Sequence, residues 1–331
     1  MSTAAAGGTT TITRDDVLAA RARTAGRVRR TPVLLGEQPG SADAGVWLKC
    51  EHLQHTGTFK ARGALNRQLA AEERGELDPA VGVVAASGGN AGLANAWAAA
   101  SLGVPATVFV PATAPRVKVD GLRRLGARVH QVGAEYAEAY DAALEHVVST
   151  GALFCHAYDQ PDVAAGAGVL AEELAEDVAD LDVVVVAVGG GGLFAGVAAA
   201  LAGRAQVVAV EPVTAPTLHE ALRAGRPVDV AVSGVAADAL GARRLGQVAF
   251  GVARRVDPVS VLVDDAAITA ARAALWRDYR IAAEHGAATA WAALTSGAWT
   301  PAPGARVAVV VCGANTDVST LHGQDAGPAV T

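Results

Sequence analysis

Between Thr31 and Val311 the chain switches repeatedly between short runs of β-branched and apolar residues and longer, alanine-rich stretches. The runs at 46–48, 82–85, 106–110, 128–131, 183–188, 207–210, 259–263 and 306–311 predict strands. The run from Val183 to Val188 is apolar without interruption, as a strand must be when helices cover both faces of a parallel sheet. Strand and helix therefore alternate, and the fold class is α/β, with open, mostly parallel sheets carrying helices on both faces. Ahead of the first strand, Val17, Leu18, Ala22, Ala25 and Val28 recur at roughly helical spacing. With Thr13 as N-cap and Asp15 and Asp16 in an acidic first turn, they predict a helix over 13–30.

Composition narrows this picture. Hydrophobic residues make up 51% of the 331 positions and charged residues 18%, which is enough apolar surface for a large core and excludes disorder. With 33 acidic and 27 basic residues the net charge is −6, which gives no electrostatic footprint for a nucleic acid. The longest apolar stretch, 91–111, is broken by Asn95, Ser101 and Pro105. It falls short of the roughly 20 consecutive apolar residues of a membrane span, so no membrane partner is expected. The start of the chain has no basic segment followed by an apolar one, which argues against a secretory signal. Residues 1–13 are expected to be a flexible tail, and the chain from about His322 to be frayed. Cys50, Cys155 and Cys312 are too few and too scattered for a disulfide framework, so a cytoplasmic location is expected. His52 and His55 lie close to Cys50, but no second ligand pair at zinc spacing follows, and no metal is expected. The absence of a G-x-S-x-G elbow removes the nucleophile of a hydrolase triad.

Four short segments carry candidate chemistry. Gly189, Gly190, Gly191, Gly192 and Leu193 follow a buried strand and open a small-residue helix, an arrangement whose bare N–H groups can cradle a phosphate. Gly190, Gly192 and Ala195 also satisfy the loose dinucleotide pattern, with Glu211 at the distance of a ribose-binding acid, so an NAD-binding dehydrogenase stays open at this point. Ser87, Gly88, Gly89 and Asn90 repeat the cradle after another strand and suit a small carboxylate, although a plain helix cap by Ser87 or Asn90 explains them too. Lys60 follows Thr56-Gly57-Thr58-Phe59 where a loop turns into a helix, and the positive end of the helix dipole favours its neutral amine. Among the 27 basic residues only Lys49, Lys60 and Lys118 are lysines. Keeping lysine at 60 in so arginine-biased a chain suggests a need for an amine that can lose its proton. Last, Cys312 sits at a strand end before Gly313, where a small buried hydrophobe and a functional thiol read alike.

Taken together, these segments resemble the pyridoxal-phosphate enzymes of the tryptophan synthase β fold (fold-type II), and among them the serine/threonine dehydratases. The resemblance rests on Arg30-Thr31-Pro32, on Lys49 to Gln54 running through Gly57 to Ala64, on Ser87 to Gly92, on the tetraglycine loop and on Cys312 to Asn315. A weaker match spans Pro115 to Ala127, so the likeness covers about Thr31 to Asn315. It implies that Lys60 forms the Schiff base with pyridoxal 5′-phosphate and later acts as general base, while Phe59 packs on the ring. It implies that Asn90 binds the ring's 3′ oxygen, that Gly189 to Leu193 hold the phosphate, and that Ser87 to Asn90 receive the substrate carboxylate. Cys312 would face the pyridine nitrogen as an uncharged partner that leaves the ring a restrained electron sink. The implied reaction is loss of water from L-serine, L-threonine or a related 3-hydroxy amino acid, giving a 2-oxo acid and ammonia. A cysteine-synthase-like β-replacement remains the alternative within the fold.

The resemblance also implies a two-domain chain and a homodimer. Residues 14–53 and 155–325 would form the large cofactor-binding domain, and 54–154 a small inserted one. Several departures from the pattern matter. Related racemases carry a serine where this chain has Gly88, so little racemisation is expected. Divalent-metal relatives carry an acid shortly after the Glu211 position, and the segment 212–217 has none. Ala91 stands where many threonine dehydratases have histidine. The short stretch after Asn315 leaves no expectation of a regulatory domain.

Overall fold

The computed structural model describes residues 11–37 and 45–321; the rest of the proposed tail and the segment from His322 lie outside them. In chain order the strands are β1 (Val33–Glu37), β2 (Gly45–Lys49), β3 (Val83–Ala86), β4 (Ala106–Val110), β5 (Arg128–Gln131), β6 (Leu153–Phe154), β7 (Val183–Ala187), β8 (Gln206–Pro212), β9 (Val259–Val263) and β10 (Val307–Val310). The helices are α1 (Arg14–Thr24), α2 (Lys60–Glu73), α3 (Asn90–Leu102), α4 (Arg116–Arg124), α5 (Tyr136–Thr150), α6 (Pro161–Asp177), α7 (Gly192–Leu201), α8 (Thr217–Ala224), α9 (Ala237–Leu240), α10 (Gln247–Val256), α11 (Asp265–Tyr279) and α12 (His285–Thr295). Six strands form one sheet in the order β1-β2-β10-β7-β8-β9, and four form a second in the order β5-β4-β3-β6. All neighbours are parallel except β1 and β2, which pair antiparallel from Val33 opposite Lys49 to Glu37 opposite Gly45.

Alternation of side chains across a strand explains how the smaller sheet is covered. Val83, Val108 and Val110 point to one face and pack with Ala96, Ala99 and Leu122 of α3 and α4. Val84, Ala86 and Phe109 point to the other and meet Ala139 and Ala143 of α5. The larger sheet buries Val183 to Val188 among the alanine-rich α7 and α12.

All eight predicted strands are present, three with the predicted ends (β4, β5 and β9) and five with shifted ones, and two more were not predicted. β1 escapes because it is an edge strand whose Leu34 and Leu35 are exposed, so its apolar residues mark no core. β6 has only two residues, too few for a period to show. The first helix stops at Thr24 and not at Arg30: the Thr24 hydroxyl donates to Ala20 O at 2.8 Å, and Gly26 then turns the chain at φ 72°. Its start is as predicted, with Thr13 N–H donating to Asp16 Oδ2 at 2.7 Å.

The carboxyl ends of β3, β7 and β10 open on one cleft between the two sheets, the usual place for a ligand in an open parallel sheet. The cleft has a cavity volume of about 920 Å³ and is lined from both sides.

Candidate active site

Lys60 is the first residue of α2, and Phe59 is its N-cap. The backbone just before it is joined to the end of β10. Thr58 bridges to Gly313, the Phe59 N–H donates to Cys312 O at 3.0 Å, and the Ala314 N–H donates to Gly57 O at 3.0 Å. Two segments far apart in sequence are thereby held in fixed register, one carrying an amine and the other a thiol. The Lys60 amine lies 4.8 Å from the centre of the Phe59 ring and donates to Ala157 O at 3.4 Å. Burial pushes this amine below the ordinary lysine range, against the opposing pull of Cys312 and Glu284. An amine placed in this way can act as base or nucleophile. Burial, helped by Glu284, pushes the Cys312 thiol far above the usual range, so the group stays neutral.

The tetraglycine loop lies where the sequence places it, between β7 and α7, with Gly191 at φ 90°. Among the described residues no acceptor meets the N–H groups of Gly189, Gly190 or Gly191, and Gly192 and Leu193 begin a helix whose first N–H groups are also free. A Cβ on Gly190 would fall 2.3 Å from Cγ of Tyr158, so the loop passes directly against that ring. Tyr158 belongs to the cleft wall and was not among the expected site residues. The result is a bare anion cradle at a helix N-terminus.

The second loop lies across the cleft. Gly89 is the N-cap of α3 and offers no side chain, while the Ser87 Oγ accepts from the Gly89 N–H at 3.3 Å. Neither Ser87 nor Asn90 caps α3, so the plain capping explanation is corrected. The N–H groups of Gly88, Asn90 and Ala91 have no acceptor among the described residues. Asn90 instead turns its amide to Glu284, with Nδ2 at 3.0 Å from both carboxylate oxygens. Glu284 is buried just before α12 and lines the cleft, and burial holds its carboxyl above the usual range. No local pattern around position 284 marks it.

A buried ion cluster anchors α2 through Arg62, two residues beyond Lys60. Arg62 donates to Glu51 through Nε and Nη2, each at 2.8 Å, and to Glu173 through Nη1 and Nη2, each at 2.8 Å. Lys49 donates to Glu173 at 2.9 Å and to Thr31 O at 2.8 Å, while the Thr31 hydroxyl donates to Glu51. This gives Lys49 a structural role. Lys118, on α4, pairs with Asp238 of α9 across the cleft mouth.

Glu211 is not a ribose ligand. Its carboxylate accepts from the N–H groups of Leu218 at 2.7 Å and His219 at 2.8 Å, and from the Thr217 hydroxyl at 3.1 Å, which caps α8. The dinucleotide reading loses its acid, and it leaves Lys60 and Cys312 without a task.

An amine, a neutral thiol and two N–H cradles around one cleft define an enzyme that holds a phosphorylated cofactor beside a reactive lysine. The chain belongs to the pyridoxal-phosphate dependent enzyme family, which it matches over residues 25–313. It is 36% identical over 316 residues to the L-threonine ammonia-lyase of Thermotoga maritima, covering 94% of this chain and 77% of that one. Over 309 residues it is 38% identical to the phenylserine dehydratase of Ralstonia pickettii, covering 91% of this chain and 92% of the relative. A serine racemase structure from Dictyostelium discoideum superposes with a TM-score of 0.84 at 30% identity, covering 93% and 99% of the two chains.

Proposed function

We propose that the protein removes water from L-serine, L-threonine or a related 3-hydroxy amino acid, releasing a 2-oxo acid and ammonia. The observation that carries this reading is the buried Lys60 amine, facing one cleft together with the tetraglycine loop, the Ser87–Asn90 loop and Cys312. The residues fit pyridoxal phosphate: the cradle at Gly189 to Leu193 has free N–H groups and no space for side chains, as a close-bound phosphate requires. Bound there, the cofactor supplies an electron sink for the substrate's Cα. The protein supplies the remainder. The N–H groups at Ser87 to Asn90 bind the substrate carboxylate, and Lys60, whose amine burial pushes toward the neutral form, takes the Cα proton. Loss of the β-hydroxyl as water leaves an enamine, which hydrolyses to the oxo acid and ammonia. Cys312 would offer the ring nitrogen a thiol and no negative charge, which would leave the ring a restrained electron sink.

The reading extends to the architecture. β3 to β6 all fall within 54–154 and the other six strands outside it, which supports a small domain inserted in that span. Three free, buried cysteines support a cytoplasmic location, and among the described residues no helix is long and apolar enough to cross a membrane. A homodimer is the assembly we propose.

The test pairs two lysine substitutions. Lys60→Arg keeps a basic side chain of similar size but cannot offer a free amine, so 2-oxo acid formation from L-serine and L-threonine is abolished, as is the borohydride-sensitive visible band of the loaded protein. Lys118→Arg keeps most of both. A Lys60→Arg protein that still eliminates water would overturn the reading.

A further inference from the structure

The Asn90 carboxamide is held at both ends. Its Nδ2 donates to the two oxygens of Glu284 at 3.0 and 3.0 Å, and its Oδ1 accepts from Asn315 Nδ2 at 2.8 Å. Asn315 is itself anchored, because the same nitrogen donates to Thr56 O at 2.9 Å. Glu284 is 8% exposed, and its backbone N–H donates to Gly313 O at 3.1 Å. Two glycines clear the space for this chain of groups: a Cβ on Gly313 would lie 2.4 Å from Glu284 Oε1, and one on Gly57 would lie 2.9 Å from Asn315 Oδ1.

The two ends of a carboxamide have nearly the same shape, so packing alone distinguishes them poorly. Hydrogen-bond chemistry does distinguish them here. A carboxylate only accepts and the amide nitrogen of Asn315 only donates, so a single orientation of Asn90 satisfies both. A flipped Asn90 would set its oxygen against the Glu284 carboxylate and its NH₂ against that of Asn315. Asn90 comes from α3, whereas Glu284 and Asn315 come from the elements flanking α12 and β10, so the contact also fixes α3 across the cleft.

We propose that Glu284, sharing one N–H of Asn90 between its two oxygens, and Asn315 are positioning residues that lock the Asn90 carboxamide in one orientation and so present its second N–H, not a lone pair, to the 3′ oxygen of the cofactor ring. This rests on the reading that Asn90 meets that oxygen. Glutamate suits the task better than glutamine, because a side-chain amide at 284 could itself turn over and accept either end of Asn90.

The test is a double-mutant cycle read as pyridoxal phosphate affinity of the apo-protein, titrated by absorbance, with apo melting temperatures recorded alongside. Asn90→Ala and Glu284→Ala are each expected to weaken binding about tenfold, and the double variant about tenfold rather than a hundredfold, because both remove one coupled contact. Glu284→Gln recovers part of the affinity. Asn315→Ala, an exposed site that tolerates truncation, weakens binding in the wild-type background and has no effect in Asn90→Ala; it also serves if Glu284→Ala fails to fold. Additive losses in either cycle overturn the proposal. Unchanged affinity in Asn90→Ala overturns it together with the cofactor role of Asn90, and leaves the reaction assigned to Lys60 standing on its own test.

Discussion

Arg62→Ala is the substitution whose consequence can be worked furthest from the geometry. The guanidinium is fully buried and places four 2.8 Å contacts on Glu51 and Glu173, with a fifth bond from Nη2 to Arg29 O at 3.0 Å. With Lys49 also fully buried, two cations face two buried carboxylates, and a third carboxylate, Asp177 at 3.8 Å from Lys49, is balanced by Arg30, so the cluster is neutral. Truncating Arg62 leaves one uncompensated negative charge in the interior, a loss of about 3–5 kcal/mol. Measured against a total of about 5–15 kcal/mol for a typical domain, that is a large share of the stability. Arg62→Lys restores the charge but not the planar fork, so about 2 kcal/mol is lost with the charge-assisted bonds it cannot remake. The assay is urea denaturation of the apo-protein, comparing midpoints and slopes of the three forms. Because Arg62 lies two residues beyond Lys60, the first residue of the same helix, cofactor affinity should fall in the same order as stability. A loss below about 1 kcal/mol for Arg62→Ala would mean that water reaches the carboxylates, and the reasoning would be refuted.

Three further outcomes are expected. Gly190→Ala would set a Cβ 2.3 Å from the Tyr158 ring, so pyridoxal phosphate binding weakens by about tenfold or more; unchanged affinity would remove this loop from the phosphate site. Burial holds the Glu211 carboxyl at about 7, above its ordinary 4.5, so the native state binds this proton more tightly than the unfolded chain does. Its contribution to stability is complete below pH 4.5 and is lost as pH rises through 7. Wild type should therefore lose about 2 kcal/mol more than Glu211→Gln between pH 5.5 and 8 in urea titrations; parallel pH profiles would contradict this. Position 88, a glycine, carries no hydroxyl, so chiral chromatography should find D-serine formed far more slowly than pyruvate. Gly88→Ser, whose Cβ would meet Val110 Cγ1 at 3.3 Å, should raise that rate.

What the sequence discloses depends on whether a position's demand is chemical or relational. Lys60 stands out because only an amine serves there, and the glycines at 189 to 192 because a cradle must be bare. The apolar run of β7 is equally plain, since both its faces are buried. Glu173 is the opposite case. It follows Glu172 in an alanine-rich helix that reads as ordinary amphipathic surface, yet both carboxylates are buried: one lies against Arg62 and Lys49, the other against Arg14 and Arg204. Their partners come from four distant elements, and no local spacing encodes that. Glu284 is hidden for the same reason, standing in Ala-Ala-Glu-His with no turn residue beside it. Its trace in the sequence is indirect and lies at Gly313, where any side chain would displace the carboxylate. A glycine at a strand end is ordinarily explained by a turn, but Gly313 does not have a positive φ. Such a glycine is better explained by what occupies the space of its absent side chain, and here that is the carboxylate holding Asn90.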